Sequence, residues 1–262
     1  MTALERRPGL WLAWSLLGLY VFHAVQRLDV SWERFVLGLG NASQFLGRMF
    51  PPHILQPDSM AKGLLESFEI AVLASFIGIL LSIPLGVLGA RNLMPWWITT
   101  PVRFAVAFCR SFHPMIVAIL FVKAVGFGAM AGILTLAVAS IGFIGKLFTE
   151  AIEEISAKQV EAIEATGAPF ISKLIYGVMP QVLSRFAGFA TYQMDSNLRN
   201  STMVGIVGAG GIGGTLFSAF QRFDYDFVCA IVLAIVTMIV LGEALARFIR
   251  RLLGIDAKSG AE

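Results

Sequence analysis

An all-α, polytopic membrane protein with six transmembrane helices is the fold class this sequence predicts, and three observations predict it. The 262 residues are 57% hydrophobic and only 14% charged, against roughly 45–50% and about 25% in a soluble domain. The apolar residues fall in runs near the ~20 residues needed to cross a bilayer core. The charged residues collect between those runs rather than within them. A soluble enzyme has no way to cover this much apolar surface, and a net charge of +3 is too small for a nucleic-acid-binding face. Two cysteines exclude a disulfide scaffold; Cys109 and Cys229 both lie in apolar runs, where they pack as small hydrophobes.

The first span is expected at Pro8–Val25, with Arg6 and Arg7 ahead of it. His23-Ala24-Val25-Gln26 offers no small-x-small cleavage site, so a retained helix is expected rather than a signal peptide. Ser31–Phe50 repeats apolar residues at helical spacing but is too polar to span. It reads as an amphipathic helix at the interface, ended by Pro51-Pro52. Ile70–Ala90 is the second span. Pro101–Ala124 and Ala129–Ile152 are the third and fourth, joined by a hairpin at Gly126-Phe127-Gly128. The fifth, about Val182–Leu198, carries Arg185, Thr191, Gln193 and Asp195, so its polar face must look into the bundle or a wet cavity. Phe227–Ala246 is the sixth. With the N-terminus inside, 13 of the 20 basic residues fall on inner segments and 7 on outer ones, which predicts that both termini are cytoplasmic.

The inner segment Glu150–Pro180 holds five of the 17 acidic residues. Ile152, Ile155, Val160 and Ile163 share one helical face, Gly167 suits the left-handed residue that stops a helix, and Pro169 fits the first turn of the next. A helix–turn–helix elbow projecting into the cytoplasm follows; on spacing alone a solvated connector is the default reading of such a loop. Its residues resemble the EAA loop of bacterial ABC-importer permeases. Glu161, Ala162, Gly167, Met179 and Pro180 occupy the loop's positions, while Ile163 replaces its second alanine and Gly177 stands where an aliphatic residue is commoner. Ser82–Gly86, Arg110–Pro114 and Asp195–Gly213 are similar to the phosphonate-type permeases, which import phosphonates, phosphite and hypophosphite. The similarity covers about Leu64 to Glu243.

That resemblance implies a five-helix core like that of the methionine-type importers, plus one added N-terminal helix. It divides the chain into an N-terminal helix and periplasmic segment (1–63), a permease domain (64–250) with its coupling loop (150–180), and a cytoplasmic tail (251–262). It implies an inner-membrane location and three kinds of partner besides the lipid bilayer. These are a cytoplasmic ABC ATPase dimer docked at Glu161–Pro180, a periplasmic substrate-binding protein, and a second permease (identical or homologous). ATP and Mg would be bound by the ATPase; no cofactor is expected in this chain.

Gly208–Gly213 formally satisfies G-x-G-x-x-G, but no βαβ unit surrounds it, and Gly145-Lys146 is followed by Leu147 rather than Ser or Thr, so neither nucleotide motif stands. No cluster has metal-ligand spacing. Gly208, Gly210, Gly211 and Gly213 permit a sharp break beside the fifth span. The break either lines a gate or lets helices pack closely. Tyr192, Asp195, Ser196, Arg199 and Asn200 share one face of that span, followed by Ser201 and Thr202. Two readings stay open: Arg199 presents donors to an oxyanion, or Asp195 neutralises it at i,i+4 and the pair fixes helix orientation. Glu66 and Glu69 read as interfacial charges, and His113 as a packing residue. Methionine or a quaternary amine is the competing cargo, though the fifth span offers only Tyr192 and Phe189 for an aromatic cage. A secondary transporter, the other alternative, would need mid-span acids that the clean helices lack.

Overall fold

A computed structural model of the chain describes residues 8–28 and 31–252. Arg6 and Arg7, and residues 253–262 of the expected tail, lie outside them. The described residues form helices and turns, with no strand among them. Two compact units divide the chain at residues 51 and 52.

The first unit holds α1 (Pro8–Arg27) and α2 (Trp32–Met49). Ser31 caps α2 by accepting the Arg34 N–H at 3.3 Å, which satisfies one of the orphan donors of a first turn.

The second unit begins with α3 (Pro57–Gly89), which starts well before the expected Ile70. Pro57 occupies the first turn, where its missing N–H costs nothing, and Asp58 complements the helix dipole there. The third span is corrected. Instead of one helix over Pro101–Ala124, the chain forms α4 (Trp96–Ser111) and α5 (Pro114–Val125), bent by 93°. Pro114 removes a backbone donor and pushes His113 to φ −67°, ψ 138°, as the residue before a proline prefers. His113 Nδ1 then caps α5 by accepting the Met115 N–H at 3.3 Å.

Helix α6 (Ala129–Glu153) ends one residue beyond its expected limit. The elbow's apolar face is interrupted: α6 stops, Glu154–Ser156 turn, and α7 (Ala157–Glu164) starts afresh. A short turn α8 (Phe170–Ser172) and a π-helical turn at Lys173–Val178 lead into α9 (Met179–Ile206). Pro169 stands just before α8 rather than inside it. After the glycine break come α10 (Ile212–Gln221), which the sequence reading missed, and α11 (Tyr225–Leu252).

Helices α1, α3, α6 and α11 are long and apolar enough to cross a bilayer, and α4 with α5 pass together as a broken span. Helix α9 matches α11 at 28 residues but is too polar to join them on composition. The core is a seam of small residues. Gly78 lies against Ser140, Gly86 against the Phe148 ring, and a Cβ on Gly89 would lie 2.9 Å from Thr149 Oγ1. Close backbone approach of this kind replaces the hydrophobic drive that lipid cannot supply. Below the seam Val87, Ile144, Phe148, Ile152, Val178 and Val182 form a cluster under the elbow. At the other end Ile70, Ala74, Ala118, Leu136, Val204 and Ala209 pack under the glycine break.

Candidate functional site: elbow, polar helix and glycine break

The elbow is tied to the helix ends by charge. Glu153 accepts from the Arg91 N–H at 2.8 Å and pairs with the Arg103 guanidinium, whose Nε donates to the Gly89 carbonyl at 2.8 Å. Glu154 pairs with Arg185 at 2.7 Å, and the Ser156 N–H donates to Gln181 Oε1 at 2.9 Å. These contacts hold the α6 terminus and the start of α9 side by side. Gly167 takes φ +73°, and its N–H donates to the Glu164 carbonyl at 2.9 Å, turning the chain after α7. Lys173 reaches back to pair with Glu164. Gly177, the departure from the loop pattern, has a local reason. A Cβ there would lie 3.2 Å from Ile163 Cδ1, so glycine lets the π-helical turn close onto α7. Glu161 and Ala162 are exposed on the outer face, and Pro180 sits in the first turn of α9. A cleft of about 330 Å³ runs between α7 and the Asn92–Leu93 turn, lined by Glu153, Ile155, Val160 and Glu161.

On α9, Tyr192 stacks on Phe143 of α6 at 5.6 Å. Asp195 and Arg199 are paired at 2.6 Å, and Arg199 also lies 3.8 Å from Glu243 of α11. Arg247 lines the same small cavity as Tyr192, Asp195 and Glu243, so two cations and two carboxylates cluster there with no net charge. Asn200 donates to Ser196 Oγ at 3.4 Å. Ser201 and Thr202 are buried and donate to the Leu198 and Arg199 carbonyls at 2.8 and 2.7 Å. Hydroxyls in a helix among apolar neighbours satisfy themselves on the preceding turn in this way.

The glycine break is closely packed. Gly208, Gly210 and Gly211 all have positive φ. The Gly208 carbonyl accepts the Gly128 N–H at 3.0 Å, and Ser67 Oγ accepts the Ile212 N–H at 2.9 Å. A Cβ on Gly210 would lie 2.7 Å from the Ala129 nitrogen, and Gly213 packs directly on the Thr202 carbonyl. The break therefore joins α3, α6, α9 and α10 at one point. The Val207, Gly208, Ala209, Ile212 and Gly214 N–H groups find partners inside the protein, as irregular backbone at membrane depth requires.

Sequence reasoning missed a fully buried polar cluster midway along α9. Asn197 Nδ2 donates to Ser75 Oγ at 2.9 Å and Ser140 Oγ at 2.8 Å; Gln193 Nε2 donates to Ser140 Oγ and Asn197 Oδ1, both at 3.0 Å. Gln193 and Asn197 at i,i+4 were the available signal. Nothing in the sequence pairs them with serines from two other helices.

The model for the family described as binding-protein-dependent transport system inner membrane component matches residues 82–255. The phosphite transport system permease protein PtxC of Stutzerimonas stutzeri is 36% identical over 219 residues, covering 82% of this chain and 78% of that protein. The phosphate-import permease protein PhnE of Mycolicibacterium smegmatis is 38% identical over 217 residues, covering 82% of this chain. The match spans 41% of that relative's length. Among solved structures, an inward-facing form of the MetNI methionine ABC transporter aligns with a TM-score of 0.63 at 23% identity, over 74% of this chain and 95% of that one. An amino acid ABC transporter with histidines aligns with a TM-score of 0.61 at 18% identity, over 74% and 93%. At these identities the two structures show a shared fold.

Proposed function

The chain belongs to the family of binding-protein-dependent transport system inner membrane components, and from that premise we propose that it is the permease subunit of an ATP-driven importer for a small phosphorus oxyanion: a phosphonate, phosphite or hypophosphite. The observation that carries the cargo is the 36% identity to a phosphite permease over 82% of this chain.

Two ATPase subunits dock at the elbows of a permease pair, each elbow presenting Glu161, Ala162 and the turn at Gly167. The Glu153–Arg103 and Glu154–Arg185 pairs support this role, because they join the elbow to two spans at once. Closure of the ATPases swings the spans between inward and outward access, while a periplasmic binding protein delivers substrate. ATP and Mg are held by the ATPase. Both termini are cytoplasmic.

The second reading of Arg199 is the better supported. Flanked by Asp195 and Glu243, it offers an anion no net attraction, and it bridges α9 to α11. The glycine break at Gly208–Gly213 acts as the fixed point about which α10 and α11 are set against α9.

The test is growth on phosphite, hypophosphite or an alkylphosphonate as sole phosphorus source. The host lacks its own uptake system and carries this chain with its ATPase and binding protein. Growth on at least one is expected. Growth on none, with the complex assembled and importing methionine, would sink the cargo assignment.

A further inference from the structure

Arg110 ends the polar side of α4 at the 93° bend, one turn before His113 and Pro114 begin α5. Its depth follows from its packing. A Cβ added to Gly142 would lie 2.6 Å from Arg110 Cγ and 3.1 Å from its backbone nitrogen, so Arg110 lies level with the middle of α6. Gly142 is 13 residues from Ala129 and 11 from Glu153, or about 20 and 16 Å along the axis at ~1.5 Å per residue. In a hydrocarbon core about 30 Å thick that is mid-depth.

A cation at mid-depth is costly unless it faces protein or water, yet Arg110 is exposed in this unit and its guanidinium has no ion pair or hydrogen bond among the described residues. The other cations nearby are spoken for. Arg103 pairs with Glu153, and Lys146 with Glu150 at 3.3 Å. With these, Arg110, Val106 and Thr149 line a cavity of about 190 Å³ between α4 and α6, room for one small tetrahedral oxyanion or several waters. The charge left over in this cavity is the single positive charge of Arg110. The Asp195, Arg199, Glu243 and Arg247 cluster on α9 and α11, by contrast, leaves none.

Resting on the reading above, we propose that Arg110 at the α4–α5 bend, with the cavity between α4 and α6, is the point in the membrane where the pathway contacts its oxyanion. Lipid phosphate is excluded by depth, so the ligand is a free anion in a wet pathway. A single exposed guanidinium donates two or more hydrogen bonds to a tetrahedral oxyanion. It has no second free cation beside it, so the anion is held briefly and leaves, as conduction needs.

The test uses the whole complex in proteoliposomes with labelled phosphite, hypophosphite and methylphosphonate, assembly being scored by copurification of the ATPase. Arg110→Gln lowers uptake of the transported anion about tenfold or more, the scale of one lost charge-assisted hydrogen bond, and Arg110→Lys retains a larger share. Ala107→Glu sets a carboxylate three residues before Arg110 on the cavity wall. It neutralises the guanidinium without removing its packing on Gly142, and lowers uptake to a similar extent. Wild-type uptake by either assembled neutralising variant overturns the proposal. If Arg110→Gln does not assemble, Ala107→Glu decides; if neither assembles, Arg110 belongs to folding and the proposal falls. A wild-type complex that takes up none of the three anions overturns the cargo reading instead, and the anion assignment with it.

Discussion

Asn197 joins three helices through one side chain. It is 1% exposed and bonds to Ser75 on α3, Ser140 on α6 and Gln193 on its own helix. Interhelical hydrogen bonds in membranes are worth about 0.6 kcal/mol on average. Asn197→Leu is therefore expected to destabilise the protein by about 1–2 kcal/mol, seen as a lower thermal midpoint in detergent. An unchanged midpoint would mean the cluster is dispensable. Arg199 makes a second residue-scale prediction. Asp195 is 16% exposed, and its Oδ1 is buried without a protein partner, so losing Arg199 leaves the carboxylate without its ion-pair partner. Arg199→Gln should cost about 1–2 kcal/mol, and adding Asp195→Asn should recover part of it, because removing both charges leaves none unpaired. If the double variant is worse than the single by the full cost of a second lesion, Asp195 has a separate role. The i,i+4 spacing already showed the Asp195–Arg199 pair. Glu243, from a helix over forty residues on, is absent from any local pattern.

Two elements depend on backbone features that only certain residues supply. Gly167 has φ +73° with open space where a Cβ would stand, so a substitution there meets strain rather than a clash. Gly167→Ala is expected to cost about 1 kcal/mol in the elbow's turn and to weaken ATPase copurification. Gly167→Asn, better tolerated in the left-handed region, should lose less. Equal losses from both would point to the side chain rather than the backbone. The spacing from Glu161 to Gly167 made this turn legible. The α4–α5 bend was misread for the opposite reason. Pro114 lies in an apolar run long enough for one straight span, and Pro84 lies inside α3 without ending it. Whether a proline breaks or merely interrupts a helix depends on what receives the freed carbonyls and which way the next segment is packed. His113 caps α5, and α6 packs beside both halves. Neither fact lies within the reading window of a single helix.

At the scale of the molecule, the expected orientation places the Gly126–Gly128 hairpin outside and the α11 terminus inside. Alkaline phosphatase, active only outside the cytoplasm, should therefore be active when inserted after Phe127 and inactive when fused after Leu252. A fluorescent protein fused after Leu252 should fluoresce. The reverse pattern would invert the topology and remove the elbow from the ATPase side. The seam between α3 and α6 was only partly visible in advance. Glycines and serines in apolar runs mark close-packed faces, but two such runs can meet in many registers. The register is set where Gly78 meets Ser140, Gly86 meets Phe148 and Gly132 meets Ile70 and the Ala209 carbonyl together.

The sequence by itself determined the solvent in which this chain folds, most of its helices, and the acidic elbow that no lipid requires. Each of these follows from composition or from periodicity within one segment, where local physics suffices. Tertiary structure alone decided which charges remain unspent. Arg103 and Arg185 each find a carboxylate from a distant segment, while Lys146 and Arg199 each find one a turn away on the same helix. Arg110 finds none among the described residues, and its packing on Gly142 sets it level with the middle of α6. Coulomb partnership and depth depend on distances in space, and a sequence holds only distances along the chain.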